Sequence, residues 1–207
     1  MLFVAAAFAP SNKRKDRGLK AHTDCERPVM KHEAQIATHS VFETNAAKLR
    51  DLQAAVNTTF RRRNDGDAQW KAWQEAARRF HVTYDALAFP GGIGKAMALF
   101  EKRDPGAIEI VVRFLEADPW FFRSGYHKAY MIKHLRQFPL SQDHRKRLQQ
   151  VILARIESEE TPREFRWYCR LARYVSDADF ERQVASLAAA PGQLRRRHAG
   201  WVLAQLR

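Results

Sequence analysis

The hydrophobic residues of this chain recur with the period of an α-helix from Phe42 onward. The first series occupies positions i, i+3, i+7 and i+11, namely Leu49, Leu52, Val56 and Phe60. After a turn at 64–67, one face of a second helix consists of Trp70, Trp73, Ala77 and Phe80. We find no convincing strand pattern, in which apolar and polar residues would alternate. The pattern therefore predicts an all-α protein.

Signals for helix starts divide the rest of the chain. Six stretches carry a capping residue, a proline suited to the first helical turn, or both: Asp104-Pro105, Asp118-Pro119, Ser141, Thr161-Pro162, Ser176-Asp177 and Pro191-Gly192. Glu164 follows Thr161 by three residues, which is the spacing of a capping box. Together with the N-terminal series, these signals predict eight or nine helices.

A faint repeat runs through residues 104–207. The segments 124–135, 165–175 and 196–206 each place an aromatic residue near the start of an aliphatic-lined helix. Tyr126 and Trp167 are 41 residues apart, and Trp167 and Trp201 are 34 apart, which are spacings that one pair of helices fills. This part of the chain resembles the HEAT-like helical repeat proteins. The resemblance implies a short stack of helix pairs, and a non-repetitive helical bundle is the alternative.

The N-terminal segment differs from the rest of the chain in its hydrophobic pattern. Residues 1–40 lack sustained periodicity, so we expect an irregular N-terminal segment followed by one helical domain at 41–207. Within that domain, 43–103 would form a helical cap and 104–207 the helix-pair repeats. The apolar start is followed rather than preceded by basic residues and is too short to cross a bilayer, so we expect a cytoplasmic protein without a membrane partner. A start at Met30 is the alternative interpretation of this end.

The stretch AFPGGIGKA at 88–96 resembles a phosphate-binding loop. The P-loop pattern G-x-x-x-x-G-K-[ST] requires a glycine five positions before Gly94 and a hydroxyl residue after Lys95. The chain has Phe89 and Ala96 at those two positions. We therefore interpret the stretch as a Pro-Gly-Gly joint between helices, whose free N–H groups could bind an anion weakly.

Histidine and cysteine spacings predict no metal site and no catalytic site. The N-terminal set has spacings that match no structural zinc site: His22, Cys25, His32 and His39. His127 and His134 are two helical turns apart, so we expect surface or internally bonded histidines. Two cysteines form no disulfide framework, and Cys25 and Cys169 are expected to be inert. We assign no catalytic residue, no cofactor and no small-molecule substrate.

Charge is the unusual property of the composition. The 36 lysines and arginines exceed the 23 acidic residues and give a net charge of +13, which favours polyanionic partners unless it is a compositional bias alone. A row with spacings of 3, 4 and 3 lies on one face of a single helix and consists of Arg163, Arg166, Arg170 and Arg173. The neighbouring repeats add Arg123, Lys133, Arg195, Arg196 and Arg197.

In a stack of helix pairs, the three helices that carry these residues lie side by side and merge their charge into one basic surface. We therefore predict that the nine residues bind a polyanion. The alternative is that the arginines lie flat over apolar or aromatic neighbours and pair with acids such as Glu164 or Asp177.

Three functions compete. The first is a non-enzymatic module that binds nucleic acid or another polyanion, and the second is a scaffold for an acidic or helical protein. The third is an enzyme, because some DNA alkyl-base glycosylases resemble this combination of helical repeats and positive charge. Their chemistry uses a carboxylate beside aromatic residues, and the candidate here is Asp118, next to Trp120. A helix N-cap explains Asp118 equally well.

Overall fold

The computed structural model describes residues 29–207, with the backbone alone for 29–40. Within that range the chain forms α1 (Val29–Arg62), α2 (Asp67–Ala88), α3 (Ile93–Glu101), α4 (Pro105–Ala117), α5 (Ser124–Leu135), α6 (Gln142–Glu157), α7 (Phe165–Val175), α8 (Ala178–Ala189) and α9 (Gln193–Leu206). No strand occurs among these residues. The prediction of an all-α protein with eight or nine helices is therefore confirmed.

The first helix begins earlier than the hydrophobic pattern indicates. Residues 29–40 were expected to be irregular, but α1 already begins at Val29. Helix growth is cooperative, so a segment can extend a helix that packing has formed further along the chain. The composition allows this extension, since 29–40 contains the helix formers Met30, Lys31, Glu33, Ala34, Gln35 and Ala37.

The helices α1 and α2 form a long antiparallel hairpin around the turn at 63–66. At its base, the ring of Phe42 lies 5.8 Å from that of Phe89 and 5.3 Å from that of Phe114 in α4. At its tip, Phe60 contacts Trp73, but Phe60 remains 45% exposed. The hairpin is thus anchored to the remaining helices at its base, where its apolar residues are buried.

Residues 105–206 form two rows of helices. One row consists of α4, α6 and α8 in contact order, and the other of α5, α7 and α9. Each helix of the first row also contacts the following helix in the second. The three helices that carry the predicted basic residues therefore lie side by side, as the repeat pattern indicated.

The core lies between the two rows. Its fully buried side chains include Leu115, Ile132, Leu148, Ile152, Tyr168, Leu171 and Phe180. Each such aliphatic or aromatic side chain contributes about 1.5–3 kcal/mol by leaving water. Leu171 is buried because α7 contacts α5, α6 and α9 and is thus covered on three sides. The buried residues of α7 fix the orientation of its arginine-bearing face.

An ion-pair network joins α4 to α6. The guanidinium of Arg147 donates two hydrogen bonds of 2.7 Å to the carboxylate of Glu116 and one of 2.8 Å to Glu109. Glu109 also pairs with Arg113 and lies 3.1 Å from Nε2 of His144. Burial raises the pKa of Glu109, but the hydrogen bonds from Arg147 and Arg113 outweigh it, and the pKa is lowered overall. Arg147 thus links two neighbouring helices of one row.

Several predicted caps are confirmed. Asp104 accepts a hydrogen bond from the N–H of Gly106, Ser141 from that of His144, and Asp177 from that of Phe180. Pro191-Gly192 also precedes the last helix, and Gly192 has φ 111°, which suits glycine. Local chemistry alone accounts for these helix starts.

Two predicted helix starts are wrong. Asp118 lies at the C-terminal end of α4 in the left-handed conformation, with φ 45°, and the next helix begins only at Ser124. Thr161 forms no capping box, since its hydroxyl lies 2.7 Å from Nε2 of His198 and α7 begins at Phe165. Lys128 and His198 are buried polar side chains that require partners, and Asp118 and Thr161 supply them instead of capping a helix.

The stretch 88–96 is a joint between α2 and α3, as predicted. Gly91 has φ 82° and Gly92 has φ 91°, and the N–H of Gly92 donates to the carbonyl of Phe89 at 2.8 Å. The N–H of Gly94 is not free, because it donates to Asp85 at 3.1 Å. The expectation of a weak anion site here is therefore wrong, since a carboxylate of the chain itself takes that place.

Within residues 29–207, none of the helices is both long enough and apolar enough to cross a membrane.

Candidate functional site

The arginine row consists of Arg163, on the turn just before α7, and Arg166, Arg170 and Arg173 on α7, and all four side chains are exposed. The prediction that one helix carries all four is wrong for Arg163, because α7 begins only at Phe165. None of them forms an ion pair with a described carboxylate. Asp177 instead accepts hydrogen bonds from Gln149 and from the N–H of Phe180. The part of the alternative in which these arginines pair with Glu164 or Asp177 is therefore not observed, whereas the part in which they lie over aromatic neighbours applies to Arg166 and Arg170.

Aromatic stacking orients part of this row. The guanidinium of Arg170 lies 4.8 Å from the ring centre of Trp167, and that of Arg166 lies 5.4 Å from it. A guanidinium over an indole ring keeps its charge while its approach direction is restricted. The row is thus charged, exposed and partly ordered.

The other predicted basic residues fall into two groups. Arg123 on the α4–α5 loop lies 5.2 Å from the ring of Phe122, and Arg197 on α9 lies 5.2 Å from that of Trp201. Arg195 folds back on the carbonyl of Pro191. Lys133 and Arg196 are exposed and make no such contact. Neither of the two concave regions described next is lined by these residues, by Arg195 or Arg197, or by Arg173 of the row.

The aromatic cleft is a depression of about 970 Å³ beside the N-terminus of α7. It is bounded by the α4–α5 loop, the first turns of α5, the α6–α7 loop and Gln53 of α1. Its aromatic lining residues are Trp120, Phe121, Phe122, Tyr126 and Trp167. Trp120 is 71% exposed and Tyr126 is 70% exposed. Large rings are rarely this exposed without a binding role when they gather in one concavity.

The loop that presents Trp120 is held by the residues on either side. Pro119 and Phe121 are buried, and the carbonyl of Trp120 accepts a hydrogen bond of 2.9 Å from Arg50. The N–H of Phe121 donates to the hydroxyl of Ser124 at 3.2 Å. Buried neighbours thus hold the loop in place while the indole of Trp120 points outward.

Backbone conformation marks both ends of this loop. Asp118 has φ 45° and Arg123 has φ 66°, values that side-chain-bearing residues adopt at a cost of about 1–2 kcal/mol. Such strained residues cluster at binding and active sites, where the surrounding structure maintains them. The two strained residues lie on either side of the loop segment that presents Trp120.

An ion-pair cluster forms the floor of the aromatic cleft. Lys128 Nζ lies 2.7 Å from Asp118 Oδ1, and Arg155 Nη1 lies 2.7 Å from Asp118 Oδ2. Lys128 is only 3% exposed. Burial, and then the negative charge of Asp118, raise the pKa of the adjacent Tyr168, which stays a neutral phenol. The floor therefore carries two cations for one anion.

The lining of the cleft is basic overall. It contains the cations Arg123, Lys128, Arg155, Arg163 and Arg166 and the anions Asp118, Glu160 and Glu164. The carboxylate of Glu164 lies against Gly125, where a methyl group would approach it to 2.7 Å. Five cations against three anions leave a net charge of +2 in the cleft.

A second groove, of about 540 Å³, lies between α7 and α9. It shares Arg163 and Arg166 with the aromatic cleft and adds Arg170 and Trp201. Arg163 and Arg166 thus form the ridge between two concave regions, each of which contains an exposed tryptophan.

The histidines of the described region are structural. His127 Nε2 lies 2.9 Å from the hydroxyl of Tyr84, and burial together with Arg123 lowers the pKa of His127 to about 4. His134 stacks on Tyr130, and burial lowers its pKa as well. His198 is fully buried between the carbonyl of Ile156 and Thr161. These contacts agree with the expectation of surface or internally bonded histidines.

Other candidate chemistry is limited. No group of three metal-ligating side chains occurs from residue 41 onward. The considered zinc set of His22, Cys25, His32 and His39 lies outside the side chains that the structure describes. Burial raises the pKa of the Cys169 thiol to about 11, so it stays protonated and a poor nucleophile.

The sequence analysis missed the floor of the cleft. It assigned no role to Lys128 or to Arg155. One signal was available for Lys128, since it precedes Met131, Ile132 and Leu135 at helical spacing and thus shares their buried face. No local signal marks Arg155, whose partner is 37 residues away.

Comparison with known proteins adds no assignment. No protein-family profile matches the chain, and no curated protein or solved structure matches it significantly.

Proposed function

We propose that this protein is a non-enzymatic nucleic-acid-binding module of HEAT-like architecture, which binds through the basic surface of α5, α7 and α9. The observation that carries the proposal is the arginine row, four exposed guanidinium groups without a carboxylate partner among the described residues. The two rows of paired helices support the HEAT-like architecture. Such stacks present extended surfaces to their ligands.

The unpaired state of the row supports a polyanionic ligand. A surface guanidinium that already pairs with a carboxylate has little left to gain from a phosphate. Exposed and unpaired arginines can instead contact phosphates directly. Each such contact releases counterions that were condensed on the nucleic acid, and this release favours binding. Like charges at helical spacing also disfavour α7 by tenths of a kcal/mol each. A bound phosphate backbone removes that cost.

The test is a salt-dependent titration of a fluorescein-labelled 20-nucleotide strand and of a 20-base-pair duplex, followed by anisotropy. We expect Arg166→Glu/Arg170→Glu to weaken binding at least about tenfold at 100 mM salt. We also expect the slope of log affinity against log salt to fall by about 2, one for each lost phosphate contact.

The matched control is Lys71→Glu/Arg79→Glu on α2, which changes the net charge equally on a helix outside the two rows. It should change affinity less than about threefold, because screened charges far from the ligand matter little. Equal losses of affinity in the two double variants would show that binding depends only on the net charge of the protein. Unchanged affinity in Arg166→Glu/Arg170→Glu would refute the proposal.

A second candidate is base excision of the alkyl-base glycosylase type. It is favoured by the position of Asp118, whose carboxylate reaches the floor of the cleft that Trp120 and Tyr126 line. The ion pairs with Lys128 and Arg155 weaken it, because both carboxylate oxygens are occupied. Release of methylated base from alkylated DNA would establish this activity if Asp118→Asn abolishes it while the urea midpoint shows that the variant is still folded, and no release by the unmodified protein would exclude it.

A further inference from the structure

The exposed rings of Trp120 and Tyr126 lie within one cleft rather than on separate surfaces. Each is about 70% exposed, so neither ring contributes much to the stability of the fold. The arginine row alone would serve a duplex and a single strand equally, because it offers only charge. The aromatic rings are the feature that distinguishes between the two.

We infer that the aromatic cleft binds unpaired nucleotides, with bases stacked on Trp120 and Tyr126 and phosphates on Arg123, Arg163 and Arg166. This inference rests on the proposed function and specifies its ligand as single-stranded nucleic acid. A base can stack on a protein ring only when one of its faces is free, and in a duplex the faces of internal bases are covered by their neighbours.

The position of the cations fits this arrangement. Arg163 and Arg166 belong both to the arginine row and to the cleft lining, and Arg123 follows Phe122 on the α4–α5 loop. A strand that crosses the row can therefore place its bases in the cleft while its backbone stays on guanidinium groups. Arg166 also lies over Trp167, which connects the row to the aromatic lining.

The rigidity of the α4–α5 loop supports stacking rather than incidental exposure. Pro119 and Phe121 are buried on either side of Trp120, and Arg50 holds its carbonyl from α1. A loop backbone that is already ordered loses little conformational entropy when a base stacks on the ring that it presents. The strained backbone of Asp118 and Arg123 is maintained by the same anchors.

The size and the floor of the cleft agree with a nucleotide ligand. Its volume of about 970 Å³ lies at the upper end of the usual range for small-ligand sites, roughly 300–1,000 Å³, and exceeds the need of one base. The excess cation of the Asp118 cluster leaves the floor positive, although Glu160 and Glu164 at the rim oppose a phosphate locally. The net charge of +2 favours the anion.

The experiment compares two probes of equal length, fluorescein-labelled dT12 and a 12-base-pair duplex, at one salt concentration. We expect the protein to bind dT12 at least about tenfold more tightly than the duplex. Trp120→Ala/Tyr126→Ala should lower the affinity for dT12 at least about 30-fold and that for the duplex less than threefold. Trp120→Phe should keep most of the affinity for dT12, since phenylalanine retains a stacking face.

The matched control is Trp70→Ala, which removes a partly exposed ring at the hairpin tip and should leave both affinities unchanged. The urea midpoint of each variant shows whether it is folded. If the double variant is not, the single variant Trp120→Ala tests the inference, because it should weaken dT12 binding at least about fivefold while Trp120→Phe does not. Equal binding of both probes, or equal effects of the cleft and tip variants, would overturn the inference while leaving the proposed function intact.

Two other outcomes are separable. If neither probe binds at low salt, the proposed function fails, and this inference fails with it. If polyglutamate of equal charge displaces dT12 as well as unlabelled dT12 does, the cleft does not recognise bases. The surface would then be assigned to an acidic protein partner, and the inference would be overturned.

Discussion

The ammonium group of Lys128 lies 2.7 Å from the carboxylate of Asp118, and Lys128 is almost completely buried. Asp118 also neutralises Arg155 through its second oxygen. The pair joins the end of α4 to α5 and, through Arg155, to α6. A buried lysine depends on its carboxylate far more than an exposed one does, because water cannot replace the lost partner.

Asp118→Asn should therefore destabilise the protein more than Lys128→Met. The first substitution keeps a side chain that tolerates φ 45° but leaves two cations without a counter-charge, at a cost of about 3 kcal/mol. The second keeps the Asp118–Arg155 pair and fills the site with an apolar side chain, at a cost of about 1 kcal/mol. Urea unfolding measures the loss of stability in each variant. A larger loss in Lys128→Met than in Asp118→Asn would contradict the prediction.

The network around Arg147 predicts a second ranking. Arg147→Met removes the hydrogen bonds that join Glu109 and Glu116 of α4 to α6, so we expect a loss of about 2–3 kcal/mol. Arg182→Met removes an exposed pair with Asp179 on one helix and should cost less than about 0.5 kcal/mol. Thermal unfolding should show a clear shift in melting temperature only for the first variant, and equal shifts would refute the ranking.

The joint between α2 and α3 offers a matched pair of glycines. Gly91→Ala adds a methyl group in open space and should cost about 1 kcal/mol for the left-handed backbone alone. Gly92→Ala places its methyl 2.6 Å from Asp85 Oδ2 as well, so Asp85 must move and its hydrogen bond to Gly94 is strained. We expect a loss of about 2 kcal/mol or more there by urea unfolding. Equal losses would show that Asp85 adapts freely.

His127 predicts a specific pH dependence of stability. Its pKa is about 4 in the folded protein, against an ordinary value of 6.5. As the pH falls through this window, the unfolded chain binds a proton that the folded protein does not. The contribution of His127 to the free energy of unfolding is therefore complete above pH 6.5. It is lost as the pH falls toward 4, by up to about 1.4 kcal/mol per pH unit.

His127→Gln tests this dependence, because glutamine keeps an N–H donor for Tyr84 but does not titrate. The free energy of unfolding should fall less steeply between pH 6.5 and 4 in this variant. His81→Gln is the matched control, since His81 is exposed, and its profile should follow that of the unmodified protein. Parallel profiles for all three proteins would exclude His127 as a source of the dependence.

Much of the fold could be predicted from the sequence because its signals are local. The spacing of Leu49, Leu52 and Val56 predicted α1, and the caps at Asp104, Ser141 and Asp177 predicted three further helix starts. The prediction failed at Asp118 and Thr161, where an N-cap pattern is present but a distant partner binds the side chain more favourably. A capping bond contributes about 1 kcal/mol, which a buried ion pair or hydrogen bond can exceed.

By itself the sequence determined the helical class, the glycine joint at 91–92 and the placement of Arg166, Arg170 and Arg173 on one face of α7, since each depends on contacts within a few residues. Only the tertiary structure decided which residues share the aromatic cleft. Its walls come from α1, the α4–α5 loop, α5, α6 and α7. The burial of Lys128 and the exposure of Trp120 depend on how those helices pack, and short-range periodicity carries no information about packing between residues so far apart in the chain.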